Sequence, residues 1–319
     1  MLKVFITVDV ELWPRNWDLG ADAFQEAWKR YIQGATPKGD YGLEFQLKLL
    51  GQYEIKAVFL VESLFAWQYG MGPLRDIVGL IQDAGQEVQL HLHAEWCHKS
   101  KRPILPGRQG INLRDYNEAD QDFLVSLALN NLRESGVDEV CAFRAGSFGA
   151  DRTSLRLLAS HGIRYDTSYN PPYLSRGCGI NVDGLLVQPF PIEGAFEFPV
   201  TTFEELPGRL RHMQIGSCSL SEMKHLLLAA HQRAWHSVVI VSHGHELLNA
   251  DRTKADSIVI RRFEGLCRFL ADNRDKFEAV GFSDLNMEAV TMPQAEKPLP
   301  SSVLRTAWRY GEQLAMRLR

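Results

Sequence analysis

The sequence predicts an α/β fold in which parallel strands close into a distorted (β/α)7-type barrel, followed by a C-terminal helical tail. Short, wholly apolar strands alternate with helical segments six or seven times along the chain, which is the pattern of a parallel sheet. Polar residues cluster at the C-terminal end of nearly every strand, where such barrels keep their sites. No Gly-x-Gly-x-x-Gly motif follows the first strand, which disfavours a dinucleotide-binding fold.

The first strand covers residues 1–11 and ends on two carboxylates. Its run of apolar and β-branched residues is typical of a buried strand. Alternation places Asp9 and Glu11 on the same side of the extended backbone, where the two acids would repel each other. A cation or a shared proton would relieve that repulsion. The alternative is a strand that simply reaches solvent.

The remaining elements follow in alternation. Apolar runs predict strands at 55–61, 87–93, 140–143, a short strand ending at Asp166, and strands at 238–241 and 277–282. Periodicity and end signals predict helices at 21–31, 41–51, 73–84, from Asn117 onward, at 152–161, from Ser219 to about Trp235, and at 256–272. The Pro/Gly-rich stretch 171–203 contains only short strand-like pieces, at 185–190 and 196–201.

Composition restricts the class of protein. With 319 residues, 45% hydrophobic and 23% charged, the chain is typical of a soluble globular protein. A net charge of -4 without basic runs before the tail gives no sign of nucleic-acid binding. Five scattered cysteines argue against a disulfide framework or a thiolate zinc site and fit a reducing compartment. Because no signal peptide or membrane span is recognisable, we expect a cytoplasmic protein.

The predicted strand ends carry residues suited to metal chemistry. They deliver Asp9 and Glu11, then His91, His93 and Glu95 with His98 just beyond, then Arg144, Asp166, His243 and His245. A lone histidine is usually structural, but two histidine clusters at the ends of buried strands favour a site. Imidazoles and carboxylates together suit zinc or a similar divalent ion, and three protein ligands with an open position mark a catalytic metal.

These residues fall in five motifs that resemble, in order, those of the NodB-homology polysaccharide deacetylases. The motifs are Thr7–Glu11, Glu87–Trp96, Phe143–Phe148, Tyr165–Ser168 and Val239–His243, and the second strand, Lys56–Val61, is also similar. The match spans residues 3 to about 282 and is nearest to the cytoplasmic subgroup that accompanies lipopolysaccharide and surface-polysaccharide genes. The resemblance implies a NodB-like barrel that removes acyl groups from amino sugars with a divalent metal, zinc above all.

The sequence departs from the family pattern at two places. The paired acids of the first motif are adjacent in the family, whereas Val10 separates them here. The family's second metal histidine, four residues after His91, is replaced by Glu95. The third metal ligand could therefore be Glu95, His93 or His98.

The resemblance implies a role for each of these residues. Glu11, His91 and either Glu95 or His93 would hold the metal, and Asp9 would act as general base. Arg144 would pair with Asp9; the alternative is a structural surface arginine.

His243 would protonate the leaving amine in the same scheme. Asp166 would hold His243 charged, unless it only caps a turn. His245 would contact substrate, unless it simply begins the following loop.

The expected function is deacylation of an amino sugar in a surface polysaccharide or a lipid-linked precursor. One rival is a glycoside hydrolase that uses Asp9 with Glu95 or Glu246 as its acid pair. The other is an inactive carbohydrate-binding protein that has lost metal and turnover. The sequence leaves the oligomeric state open.

The predicted domain organisation is a barrel over 1–290, a proline-containing linker over 291–302 and a helix over 303–319. Leu304, Ala307, Trp308, Gly311, Leu314 and Leu318 form one apolar stripe on that helix, and four of its remaining residues are arginines. The helix could dock on the barrel or form a dimer contact. It could also lie at the inner membrane surface near anionic lipid.

Overall fold

A computed structural model of the protein describes residues 1–174, 176–285 and 297–317, without the side chains of 315–317. Its strands are β1 (Leu2–Val10), β2 (Ala35–Thr36), β3 (Gly39–Asp40), β4 (Val58–Glu62), β5 (Glu87–Leu92), β6 (Ala142–Ala145), β7 (Tyr165–Asp166), β8 (Phe190–Ile192), β9 (Ala195–Glu197), β10 (Thr202–Leu206), β11 (Arg209–His212), β12 (Ser237–His243), β13 (Phe277–Ala279) and β14 (Leu299–Pro300). Its helices are α1 (Ala21–Trp28), α2 (Leu43–Gln52), α3 (Ala66–Tyr69), α4 (Met71–Asp83), α5 (Glu95–Lys99), α6 (Glu118–Glu134), α7 (Arg152–Ser160), α8 (Leu220–Gln232), α9 (Ser257–Ala271) and α10 (Val303–Arg317).

Nine of these strands form one curled sheet in the order β12-β1-β4-β5-β6-β7-β9-β8, with β13 also paired to β1. All neighbours are parallel except β8 and β9. The irregular segment after β9 covers the β12 edge, since the Val239 amide donates to Thr201 Oγ1 (2.8 Å) and the Val241 amide to the Met213 carbonyl (3.0 Å). The predicted α/β barrel is confirmed, and irregular backbone completes it.

Both faces of β1 are buried, which explains its continuous apolar run. Val4, Ile6 and Val8 pack into the core beneath the helices, while Phe5 faces the barrel interior. Inside the barrel, Phe5 stacks on Phe282 with ring centroids 4.6 Å apart. On the same face the strand continues through Thr7 to Asp9, so the barrel is filled with aromatic rings at one end and polar groups at the other.

Helix ends follow the predicted signals. Asn117 caps α6 by accepting a hydrogen bond from the Asp120 amide (2.9 Å), and Ser219 and Glu222 form the predicted capping box of α8. The strand predicted at 185–190 is wrong, because β8 begins only at Phe190. The hairpin of β10 and β11 was not predicted: its short, charged strands lie apart from the main sheet and carry no buried apolar run.

The tail is attached to the barrel through a small second sheet. Part of the predicted linker, residues 291–296, lies outside the described residues, as do the predicted boundary at 290 and residues 318–319. Within the predicted linker, β14 pairs with β10 in a three-stranded sheet, so residues 299–300 are a strand. In the described part of the chain, no helix is both long and apolar enough to cross a membrane.

Candidate active site and metal centre

Four strands of the sheet, β12, β1, β5 and β6, deliver the site residues to one edge. In register, Asp9 lies opposite His243 on β12, and His91 on β5 lies opposite Arg144 on β6. Because these strands are parallel, their C-terminal ends open into a common cavity of about 550 Å³. The cavity is lined by Asp9, Glu11, Trp13, Trp17, His91, His93, Glu95, Ala145, Ser147, Phe148, Tyr173, His212, Gln214, Val241 and His243.

Glu11, His91 and His93 form a compact group that could hold a metal ion, with ligand atoms within 4.8 Å of one another. Glu11 Oε1 lies 3.2 Å from His91 Nε2 and 2.9 Å from His93 Nε2. A second group, Asp9, Glu11 and His243, meets the same geometric condition. Glu11 belongs to both groups and so lies at the centre of the site.

The outer contacts of the two histidines fit a metal-binding role. His91 Nδ1 lies 2.7 Å from the Arg144 carbonyl, which only accepts hydrogen bonds, so Nδ1 carries the hydrogen. In the tautomer with this hydrogen on Nδ1 alone, the lone pair of Nε2 points toward Glu11 Oε1. Two acceptors facing each other in a buried site are stabilised by a cation between them, and a histidine fixed through its other nitrogen is typical of metal ligands.

Glu95 lies outside this triad and contacts His93. Its Oε2 is 3.1 Å from His93 Nδ1, so it orients that ring instead of joining Glu11 and His91. Burial alone would lower the pKa of His93, but the carboxylates of Glu11 and Glu95 raise it to about 10. The cluster therefore attracts positive charge, as a proton or as a divalent cation. His98, the other predicted candidate, is half-buried on α5 and belongs to neither group.

Asp9 forms the predicted pair with Arg144. Arg144 Nη1 donates to Asp9 Oδ1 at 2.7 Å, and Nη2 donates to Thr7 Oγ1 at 2.8 Å. The Arg144 side chain is fully buried, so the alternative of a surface arginine is wrong. A buried, multiply hydrogen-bonded arginine fixes the position of the Asp9 carboxylate.

The carboxylate that bonds His243 is Glu246, whereas Asp166 was the predicted partner. Glu246 Oε2 lies 2.6 Å from His243 Nδ1, and its Oε1 accepts from Gln214 Nε2 (3.0 Å) and the Gly216 amide (2.9 Å). Burial opposes a charge on His243, yet Glu246 raises the pKa of His243 to about 9. His243 is therefore protonated at neutral pH.

Asp166 instead fixes the turn after β7. Its carboxylate accepts from the Ser168 amide (2.9 Å) and hydroxyl (2.8 Å), and it also contacts Glu197. Burial raises the pKa of both acids, and the proximity of Asp166 raises that of Glu197 further, so the pair shares a proton. These contacts match the predicted alternative of a turn cap.

His245 lies behind His243, outside the residues that line the cavity. Arg252 Nη2 is 3.1 Å from its Nε2, and its ring meets the Tyr31 ring edge-on at 5.0 Å. Burial and the neighbouring cations lower the pKa of His245 to about 3, so the ring is neutral. The ring lies against that of His243, with centroids 5.4 Å apart, so the predicted role of His245 in substrate binding stays a prediction.

Sequence reasoning missed much of the cavity wall. Trp13 donates from Nε1 to Glu11 Oε2 (2.8 Å) and meets the His93 ring edge-on at 4.6 Å. Its position next to the first motif was the available signal. Gln214, His212 and Tyr173 come from the irregular region and the hairpin, where no periodicity or motif marks them.

Comparison with known proteins finds similarity in structure only. No family model matches the sequence, and no curated protein matches it either. A structure assigned as a polysaccharide deacetylase from Mycobacterium smegmatis aligns over 93% of this chain and 94% of its own, at 15% identity and a TM-score of 0.56. One assigned likewise from Pseudomonas aeruginosa PAO1 covers 89% of each chain at 12% identity and a TM-score of 0.51.

The 4-alpha-glucanotransferase from Thermococcus litoralis also shares the fold. It aligns over 89% of this chain and 38% of its own, at 14% identity and a TM-score of 0.51. At such identities the likeness establishes the fold and leaves the reaction to the site residues. The chain therefore has the distorted α/β barrel fold of the polysaccharide deacetylases, with a carboxylate–histidine cluster at the mouth of the barrel.

Proposed function

We propose that the protein is a metal-dependent deacetylase of the NodB-homology family, which removes an N-acyl group, in the first instance acetyl, from an amino sugar. One observation carries the proposal. The possible metal group of Glu11, His91 and His93 shares a cavity with a buried carboxylate, Asp9, and a charged histidine, His243. Hydrolysis of an amide needs an activated water and a proton for the leaving amine, and this set supplies both.

Glu11, His91 and His93 would hold the metal, and Glu95 would orient His93. Their one carboxylate and two imidazoles suit zinc and leave positions open for water and substrate. When bound, the metal polarises the acyl carbonyl and lowers the pKa of water.

Asp9 takes the proton of the attacking water as general base, because its carboxylate lies in the cavity and Arg144 holds it in place. His243 gives its proton to the amine as the carbon–nitrogen bond breaks. Glu246 keeps His243 charged until that step. Atoms balance: water supplies the hydroxyl of the released acid, His243 supplies the proton of the released amine, and the water proton taken by Asp9 returns to His243.

The aromatic residues that line the cavity favour a sugar as the substrate. Trp13, Trp17, Phe148 and Tyr173 line the cavity, and aromatic faces pack well against the apolar faces of sugar rings. We further propose a surface polysaccharide or its lipid-linked precursor as the substrate and the cytoplasm as the compartment. The five cysteines are all buried and unpaired, which fits a reducing environment.

The shared fold of the glucanotransferase keeps glycoside chemistry as the rival. That chemistry needs a protonated carboxyl group in the cavity as general acid. Among the described acids that line the cavity, Asp9 bonds Arg144 and Glu95 bonds His93. Burial raises the pKa of Glu11, but the charge of His93 outweighs burial and holds that pKa well below its usual value. The site thus offers carboxylates that can accept a proton or bind a cation, together with a cationic histidine, and this combination favours amide hydrolysis.

The direct test is release of acetate from N-acetylated oligosaccharides by the zinc-loaded protein, with a chelator-treated sample as control. We expect acetate release that chelation abolishes and zinc restores. Cleavage of the sugar chain that is insensitive to chelation would establish the glycosidase instead. Saccharide binding without bound metal or turnover would establish the inactive carbohydrate-binding protein.

A further inference from the structure

The C-terminal helix α10 is oriented with its polar side toward the protein. Thr306 and Arg309 are buried, and Arg309 forms ion pairs with two buried acids, Glu222 (3.0 Å) and Glu205. Thr306 Oγ1 donates to the Glu205 carbonyl (3.0 Å). Because rolling the helix would separate Arg309 from both carboxylates and leave the buried Glu222 without a cation, the ion pairs fix which side of α10 faces outward.

The outward side of α10 is apolar throughout its described length. Val303, Leu304, Trp308 and Leu314 are 67%, 83%, 67% and 60% exposed, and Ala307 and Gly311 lie between them. Their i, i+3, i+4 and i+7 spacing places them in one stripe. A continuous exposed apolar face of this kind marks an interaction surface, whereas single exposed apolar residues are ordinary.

This stripe borders a groove shared with the start of α9. The groove has a volume of about 630 Å³, and Ile258 and Arg261 form its opposite wall. Leu304, Ala307 and Trp308 line it from the α10 side. An elongated apolar ligand, such as an acyl chain of a lipid, fits such a lining chemically.

The charges around the apolar stripe are positive. Arg261 is exposed and Arg305 half-buried, and neither forms an ion pair with the residues that the structure describes. Among the described residues that line the groove, Glu312 is the one acid, and it is already bonded to Arg262 Nη2 (2.6 Å) and Trp308 Nε1 (3.1 Å). Arg305 Nη1 donates to the Ser302 hydroxyl (3.1 Å), which leaves its charge unpaired. Two guanidinium groups without a carboxylate partner among the described residues, beside an apolar stripe, complement anionic headgroups above acyl chains.

We propose that α10 docks in the plane of an anionic lipid membrane, with Leu304, Trp308 and Leu314 inserted among the acyl chains. A second copy of the chain fits the surface less well. A symmetric contact through α10 would bring Arg261 and Arg305 of both copies to one interface. Among the described residues that line the groove, no acid is free to pair with these arginines, because Glu312 already bonds Arg262.

Membrane docking would place the active site close to a membrane-borne substrate. Glu312 bonds Arg262, Arg262 Nη1 donates to the Gly216 carbonyl (2.9 Å), and the Gly216 amide bonds the Glu246 that holds His243. Four contacts therefore link α10 to His243 on the cavity wall. This consequence, a lipid-linked glycan as substrate, rests on the proposed function, while docking itself does not.

The test is co-sedimentation of the full-length protein with vesicles of phosphatidylcholine, with and without phosphatidylglycerol. We expect binding to the anionic vesicles that weakens at high salt. The variant Leu304→Asp/Trp308→Asp/Leu314→Asp should lose binding at least about tenfold, and Arg261→Gln/Arg305→Gln should lose it on anionic vesicles selectively. Phe123→Asp, which changes an apolar side chain on α6 that is 46% exposed, is the matched control and should bind as the wild type does.

Vesicle binding is measured without turnover, so failure of the deacetylase proposal would not affect the result. Circular dichroism shows whether each variant is folded. Wild-type protein that stays in solution with anionic vesicles overturns the proposal. A triple variant that co-sediments with anionic vesicles as the wild type does also overturns the proposal. A wild-type dimer that the triple variant converts to monomer, without vesicle binding by either, would assign the surface to a second copy.

Discussion

Glu246 Oε2 lies 2.6 Å from His243 Nδ1, so the acid that charges the candidate proton donor comes from the same strand end, three residues later. The sequence resemblance assigned this role to Asp166, which lies on β7 and therefore not on a strand that neighbours β12 in the sheet. Local geometry explains the difference: after β12 the chain turns back at once, and the turn aims Glu246 at the histidine it follows. Amide and side-chain donors from Gly216 and Gln214 then hold the carboxylate in place.

Glu246→Gln should move the alkaline limb of the pH–rate profile to lower pH. His243 must be protonated to act as an acid, and its pKa of about 9 keeps it so at pH 8. Without the carboxylate, burial lowers that pKa, so activity at pH 8 should fall roughly 10²-fold or more. Acetate release measured from pH 5 to 10 gives the profile. Asp166→Asn is the control, and a shift in that variant alone would restore the assignment to Asp166.

Asp9→Asn should remove general-base catalysis while leaving metal binding intact. We expect turnover to fall about 10²- to 10⁴-fold, because an amide does not take the proton of water. The substitution also leaves Arg144 buried without its counter-ion, so a loss of stability of about 3–5 kcal/mol is expected. Turnover and metal content should therefore be compared at a temperature where urea unfolding shows both proteins folded. Full activity in the variant would refute the role of Asp9.

Metal content should identify the third ligand. Replacing His93 by Gln should remove bound zinc, measured by mass spectrometry of the dialysed protein. Glu95→Gln should only weaken affinity, about 10- to 100-fold, because Glu95 orients His93 from behind. His98→Gln should bind as the wild type. Loss of zinc in Glu95→Gln with retention in His93→Gln would reverse the two roles.

Gly146→Ala should weaken metal binding although it replaces none of the proposed ligands. A Cβ at Gly146 would lie 2.5 Å from His93 Nδ1, closer than non-bonded atoms approach, so the His93 ring must move. Zinc affinity should fall, by about the 10- to 100-fold expected for disturbed outer contacts, as measured by competition with a chelating dye. Gly79→Ala is the control, since a Cβ there meets nothing within 4 Å. Equal affinity in both variants would mean that His93 does not bind the metal.

Arg309→Met should destabilise the protein, because it leaves Glu205 and Glu222 buried without their shared cation. The expected loss is about 3–5 kcal/mol in the free energy of unfolding. Burial raises the pKa of Glu205, but Arg211 and Arg309 outweigh it and lower the pKa below 4.5. The stabilisation is therefore present above about pH 4.5 and is lost as pH falls, so the gap between wild type and variant should narrow in acid.

Urea unfolding at pH 7 and pH 4 measures this gap. Arg268→Met is the control, since Arg268 pairs with Glu264 on the exposed side of α9, where solvent screens the pair, and this substitution should change the free energy of unfolding little. A gap that widens in acid would show that the Glu205 carboxylate is not the group involved.

Local sequence determined the elements and which of them carry chemistry. The apolar run of β1 can only be a strand buried on both faces, and the Asn117 and Ser219 caps mark where α6 and α8 begin, because such signals act within a few residues. Asp9, Glu11, His91 and His243 were found for the same reason: each stands directly at the end of a buried strand. Their convergence follows from parallel strands alone.

The tertiary structure decided which partner each of these side chains meets. Glu95 and His93 are two residues apart and equally plausible as ligands, and only the position of Glu11 places the His93 ring in the triad and Glu95 behind it. The hairpin of β10 and β11 brings His212 near the cavity and gives Arg309 one of its two acids, Glu205, and no local pattern marks His212 or Glu205. Likewise, the apolar stripe of α10 would suit a buried face by periodicity, but two buried carboxylates on the barrel bind its arginine and turn that stripe outward. Partner choice of this kind depends on distances between residues far apart in the chain, which spacing along the sequence does not encode.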